Sequence, residues 1–228
     1  MLNSQKTKLF IALLAISAAS YAPHAMSFGL GDLGGGSTAS TSTAAAGDPD
    51  AFVKSAKSAE SLMNDSVTNL ANALLSKKDS AGLAAQQKAA NETTDAKDKG
   101  AKQLEVNKSK EAAINEALNN ANLKNDIKKM DSKHKTLLGA SAYNFMLALL
   151  QDQTLAEQAG GLISSLSGNP MNLGKLGGVK DAASSVSNQI SSASKIATKM
   201  PDIFSAVGVK APESKDDKPK QIAQVSGD

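Results

Sequence analysis

Gly29-Leu30-Gly31-Asp32-Leu33-Gly34 fits the G-x-G-x-x-G pattern that seats a pyrophosphate on a helix N-terminus, and Asp50 stands near the distance of a ribose-binding acid. That chemistry needs a strand before the glycines and a helix directly after them. Here an apolar leader precedes them and a Gly/Ser/Thr tract follows, so they read as a junction and no cofactor is expected. The two histidines, His24 and His134, are too few for a multi-histidine zinc site, and no metal or catalytic triad is expected. His134 lies in the basic stretch Lys128–Lys135 and reads as a surface residue.

Paired carboxylates are the next candidates, because two acids with different pKa values can share acid and base work. Glu60 with Asp65, Glu111 with Glu116, and Asp126 with Asp131 have helical spacing, but they sit among Lys and Asn without aromatic residues for a sugar to stack on. They read as solvated helix surface. Asn64, Asn91 and Asn107 begin glycosylation sequons, a pattern that chance supplies readily in an Asn/Ser/Thr-rich chain. The chain contains no cysteine, which removes disulfides, thiol nucleophiles and lipoprotein acylation. All 25 basic residues are lysines, so the planar arginine fork favoured for phosphate and guanine recognition is missing. Neither an enzyme nor a nucleic-acid partner is expected.

One combination stands above this background. Lys128, Lys129, Lys133 and Lys135 form a basic flank beside an uncharged apolar run that includes Leu137, Leu138, Phe145, Met146, Leu149 and Leu150. A basic flank next to an apolar helix is suited to an anionic membrane surface or to a partner. The same run also suits the central buried helix of a bundle, being too short to span a bilayer, which takes roughly 20 apolar residues. The core reading is preferred, and these ten residues are the candidate contact set if the segment becomes exposed.

The elements that would position them are helical. Asp48-Pro49-Asp50 combines a capping acid, a proline suited to the first helical position and a second acid at the positive helix end. Val53, Ala56, Met63, Val67, Leu70 and Leu74 then form an apolar stripe, interrupted by Glu60 and closed by Lys77-Lys78. Residues 80–120 read as a long, mostly solvated helical arm with one alanine-lined face, interrupted at Gly100. The apolar run is expected to end at Gln151-Asp152, with a weaker helix over 155–166 broken at Gly160-Gly161. A loop is expected around Asn169-Pro170 and Gly174, Gly177 and Gly178. Val179, Ala183, Val186, Ile190, Ala193, Ala197 and Met200 follow coiled-coil spacing, and Pro201-Asp202 opens a short helix to Val207. With aromatic content of 3%, the core must be built from small aliphatic residues, which favours helices over sheets.

The expected fold is therefore all-α: an elongated antiparallel helical bundle with coiled-coil-like helices, occupying 49–208. Residues 1–25 read as an export signal, with Lys6 and Lys8 before the apolar segment 9–16 and small residues after it. Cleavage is expected after Ala25, with Ser20 and Ala22 as alternatives. Loss of the signal leaves 23 basic against 22 acidic residues, a net charge of +1. Residues 26–48 read as a flexible linker and 209–228 as a disordered charged tail. The expected role is a non-enzymatic, exported, periplasmic or secreted protein of the bacterial envelope. It would act in scaffolding or protein binding, with a protein partner or self-association through helix faces. Alternatives are a membrane-active protein using 137–166 as an exposed hairpin, and a periplasmic holdase chaperone.

Overall fold

The computed structural model describes residues 47–222. The export signal with its cleavage points Ser20, Ala22 and Ala25, the glycine pattern at 29–34, His24, linker residues 26–46 and residues 223–228 lie outside the described residues. Seven α-helices and no strand occur among the described residues, so the chain is an all-α helical bundle.

Asp48 caps α1 (Pro49–Leu74), its carboxylate accepting from the backbone N–H groups of Asp50 at 2.9 Å and Ala51 at 3.3 Å. Ser76 caps α2 (Lys77–Asn91) by accepting from Asp79 N–H. The expected single arm over 80–120 is instead a hairpin of α2 and α3 (Ala96–Leu118). The break falls at 92–95 and not at Gly100, because Asp95 accepts from Asp98 N–H at 2.9 Å and opens the new helix there. On the apolar faces of the two helices Leu83, Ala90, Val106, Ile114 and Leu118 are buried.

After the short α4 (Leu123–Lys129), Asp131 caps α5 (Ser132–Ser167) through His134 N–H at 2.9 Å. Helix α5 is one continuous element of 36 residues, roughly 54 Å long. The expected stop at Gln151-Asp152 and the break at Gly160-Gly161 are both corrected, and with them the hairpin over 137–166. Gln151 and Asp152 are buried and do not cap, and a Cβ at Gly160 or Gly161 would meet nothing. A helix carries such glycines at a cost of about 1 kcal/mol each when neighbouring helices hold it straight. The loop expected at Gly174–Gly178 is likewise helical. After a 3-10 turn at Pro170–Asn172, α6 spans Leu173–Ala197, and α7 (Met200–Val207) ends at Gly208 in the left-handed conformation.

Asp50 and Lys175 form an ion pair, a Cβ on Gly178 would lie 4.0 Å from Val53, and Ser185 Oγ lies 3.4 Å from Glu60 Oε2. The sequence offset is 125 in all three, so α1 and α6 run parallel and in constant register. Helix α5 runs antiparallel to both: its C-terminal Leu155, Ala159, Leu162 and Leu166 pack with Phe52, Ala56 and Ala59 from the start of α1. A second cluster joins Leu70, Leu138, Phe145, Ile196, Met200 and Ile203 at the other end, where Ile114 and Leu118 of α3 also pack.

Burial of Leu137, Leu138, Ala140, Ala142, Phe145, Leu147, Ala148 and Leu149 makes α5 the axis of the bundle. Phe145→Ala should cost about 3–5 kcal/mol, read as a lowered urea midpoint of the helical circular dichroism signal. A cost below about 1 kcal/mol would mean that α5 is not enclosed as described.

Candidate functional site on helix α5

The ten residues of the basic-apolar junction divide into two groups. Lys128, Lys129 and Lys133 are exposed, while Lys135 is half-buried and donates to the Lys128 carbonyl at 2.8 Å. Leu137, Leu138, Phe145 and Leu149 are buried in the core, and Met146 and Leu150 are half-buried. The basic flank is thus on the surface, but the apolar side chains face inward. No helix among the described residues is long and apolar enough to cross a membrane.

Part of what covers them is the segment read as a solvated tail. That expectation is corrected over 209–222. The chain leaves α7 at Gly208, and Val209 packs so closely on Gly139 that a Cβ there would lie 2.9 Å from its Cγ2. Gln151 Nε2 then donates to the Lys215 carbonyl at 3.1 Å. A turn follows in which Asp217 accepts from Glu213 N–H and Ser214 N–H. The chain comes back to α5 at Tyr143 and Asn144. The Tyr143 hydroxyl donates to Asp217 Oδ2 at 3.1 Å, and Lys220 Nζ lies 4.7 Å from the Tyr143 ring centroid. Asn144, buried in α5, donates through Nδ2 to the Lys220 carbonyl at 2.9 Å and accepts from Lys220 N–H at 2.7 Å. Both main-chain groups of Lys220 are satisfied by one side-chain amide, and Ile222 packs against the core just beyond. The prolines and charges do keep this strap from forming regular helix, but they leave its backbone groups available to α5.

The second polar feature lies inside the bundle. Asp152 on α5 is fully buried, and neither of its carboxylate oxygens has a hydrogen-bond partner among the described residues. Burial first, and the neighbouring Glu60 second, push its pKa up to about 7. Glu60 on α1 is also raised by burial, against the Ser185 hydrogen bond and Lys57, which lower it. From α6, Ser185 faces Glu60, and Gln189 Nε2 donates to Ser185 Oγ at 3.4 Å. These groups form a polar waist between the two apolar clusters. The sequence pattern places Asp152 at a helix end and pairs Glu60 with Asp65, whereas in the fold Glu60 acts on Asp152 and Asp65 is raised by burial alone. Only the heptad break at Glu60 hinted at this waist.

The other acid pairs do not converge on a common partner. Glu111 is raised mainly by burial and contacts Ser192. Asp131 is held low by the N–H and ring of His134, whose Nδ1 lies 2.7 Å away. No group of three or more metal-ligating residues occurs among the described residues. Comparison with protein families, curated proteins and solved structures finds no match to any of them.

The raised Asp152 has a definite sign. The unfolded chain releases this proton in the ordinary carboxylate range, whereas the fold retains it up to about pH 7. The folded state therefore binds more protons in that window, and stability falls as pH rises through it. Urea unfolding should give a stability about 4 kcal/mol lower at about pH 8 than at about pH 4 from this group. Asp152→Asn should flatten that slope; a slope unchanged in the variant would assign it to other groups.

Proposed function

We propose that this chain is a non-enzymatic, exported helical protein that works by holding polypeptide against α5, as a binding or scaffolding component of the bacterial envelope or secretome. The observation that carries the reading is the Asn144 amide, which takes both the N–H and the C=O of Lys220. Main-chain bonding of this kind recognises extended peptide, and adjacent side-chain contacts supply selectivity. Here the selective contacts are Tyr143 with Asp217, the Tyr143 ring with Lys220, and the core with Ile222. The strap is the resident occupant, and a partner with an acid, a lysine and an aliphatic residue at the same spacing would fit the same contacts. Export is supported by the charged-then-apolar pattern of 1–25.

The exposed Lys128, Lys129 and Lys133 support a second reading, contact with an anionic membrane. Because the apolar residues beside them are turned inward, this contact would be electrostatic and lost at high salt.

Full-length protein carrying Gly/Ser in place of residues 214–222 should bind a labelled peptide of residues 214–222 added in trans, with a Kd on the order of 10–100 μM. Asn144→Ala should weaken that binding about tenfold, as expected for loss of a paired buried hydrogen bond. No binding, or binding indifferent to Asn144, would sink the peptide-holding reading. Expressed in a Gram-negative host, the protein should have a periplasmic form whose mass corresponds to an N-terminus at Met26. An intact Met1 terminus in that fraction would remove the export assignment.

A further inference from the structure

The hairpin of α2 and α3 packs a lysine where a charge is costly. Lys110 of α3 is only 8% exposed, and its ammonium donates to Gln87 Oε1 of α2 at 2.9 Å and to Thr68 Oγ1 of α1 at 3.3 Å. Both acceptors are neutral. No salt bridge to Lys110 occurs among the described residues, and burial alone lowers its pKa. Lysine is almost never buried to this degree without a paired charge, and an ammonium has three donors, of which two are used.

Beside it opens a cavity of about 410 Å³ between α1, α2 and α3. That is within the range of small-molecule sites, roughly 300–1,000 Å³. Its wall carries the carboxamides of Asn72 and Asn91, and Ala71, Leu83 and Ala84 supply an apolar surface. Gln87 is held in place from behind: its Nε2 donates to Gln103 Oε1 at 2.7 Å, and Gln103 Nε2 donates in turn to Asn107 at 3.3 Å. The lysine is therefore aimed by a fixed amide and does not swing freely. On the rim Lys88 faces Glu92 at 3.8 Å, so these two charges cancel and Lys110 leaves the cavity with a formal charge of +1.

We propose that this cavity binds a small hydroxylated monocarboxylic acid, the chemistry of a sugar acid. The ligand carboxylate would meet the third Lys110 donor and neutralise it. The carboxamides of Asn72 and Asn91 would bond its hydroxyls, and its C–H face would lie on Ala71, Leu83 and Ala84. A single negative charge matches the single uncompensated cation, whereas a doubly charged phosphate would bring one charge more than Lys110 neutralises. A neutral sugar would leave Lys110 unpaired and lose the interaction that distinguishes this cavity.

Isothermal titration of the full chain with sodium D-glucuronate, glucose and inorganic phosphate tests the assignment. Glucuronate should bind at least about tenfold more tightly than either of the others. Lys110→Met should abolish that preference while leaving the helical circular dichroism intact, since an apolar side chain of similar length fits the buried stem. Ala84→Phe, at an exposed position on the mouth, should block binding without disturbing any buried group, and so decides the matter if Lys110→Met does not fold. No glucuronate binding, equal binding of phosphate, or binding that survives Ala84→Phe would overturn the proposal.

Discussion

A helix with buried residues on every face has no solvated stripe on which to rest, and α5 is in this position from Leu137 to Asp152. It must be enclosed, and the other elements are arranged to do so. Helices α1 and α6 run parallel to each other and antiparallel to α5, covering its length; α7 and the strap cover the face around Gly139 and Asn144. Because alanine and glycine line much of this axis, backbones approach closely, and the core needs few aromatic residues. Among the described residues Phe52, Phe145 and Phe204 are the buried large rings, Phe52 in one cluster and Phe145 and Phe204 in the other.

The enclosure is not uniformly apolar. The two clusters are separated where Glu60, Asp152, Ser185 and Gln189 come together from three helices. A neutral, protonated Asp152 is tolerated there far better than an ionised one, because no donor among the described residues reaches it. Such a group weakens the bundle relative to an aliphatic side chain. Its position at the meeting of α1, α5 and α6 also ties their register to one spot, since sliding any helix by a turn would put a carboxyl among leucines.

Polar contacts help to attach the outer elements to the frame. The strap is held by hydrogen bonds from α5 side chains to its main chain, with Val209 and Ile222 packed against the core. The lysine-bearing hairpin is separate again, joined to the body through Thr68, Ile114 and Leu118. Three polar devices, the waist, the strap clamp and the buried lysine, thus occupy different parts of one helical frame.

Much of that frame was legible in the residues. Asp48-Pro49 announced α1, the heptad from Val179 announced the inner face of α6, and the apolar run at 137–150 announced the buried axis. Local chemistry suffices for these, because capping and periodicity act within a few residues. The glycines at 160, 161, 174, 177 and 178 misled for the same reason: local preference favours a break, but packing against α1 and neighbouring turns outweighs about 1 kcal/mol per glycine. The site residues were far less legible. Asn144 meets Lys220 across 76 positions, Lys110 meets Thr68 across 42, and Ser185 meets Glu60 across 125. No spacing rule connects residues so distant. The sequence by itself determined that the chain is helical and which segment must be buried, because those follow from side-chain type and a period of 3.6. Tertiary structure alone decided which polar groups share a neighbour, because that depends on how whole helices are laid together.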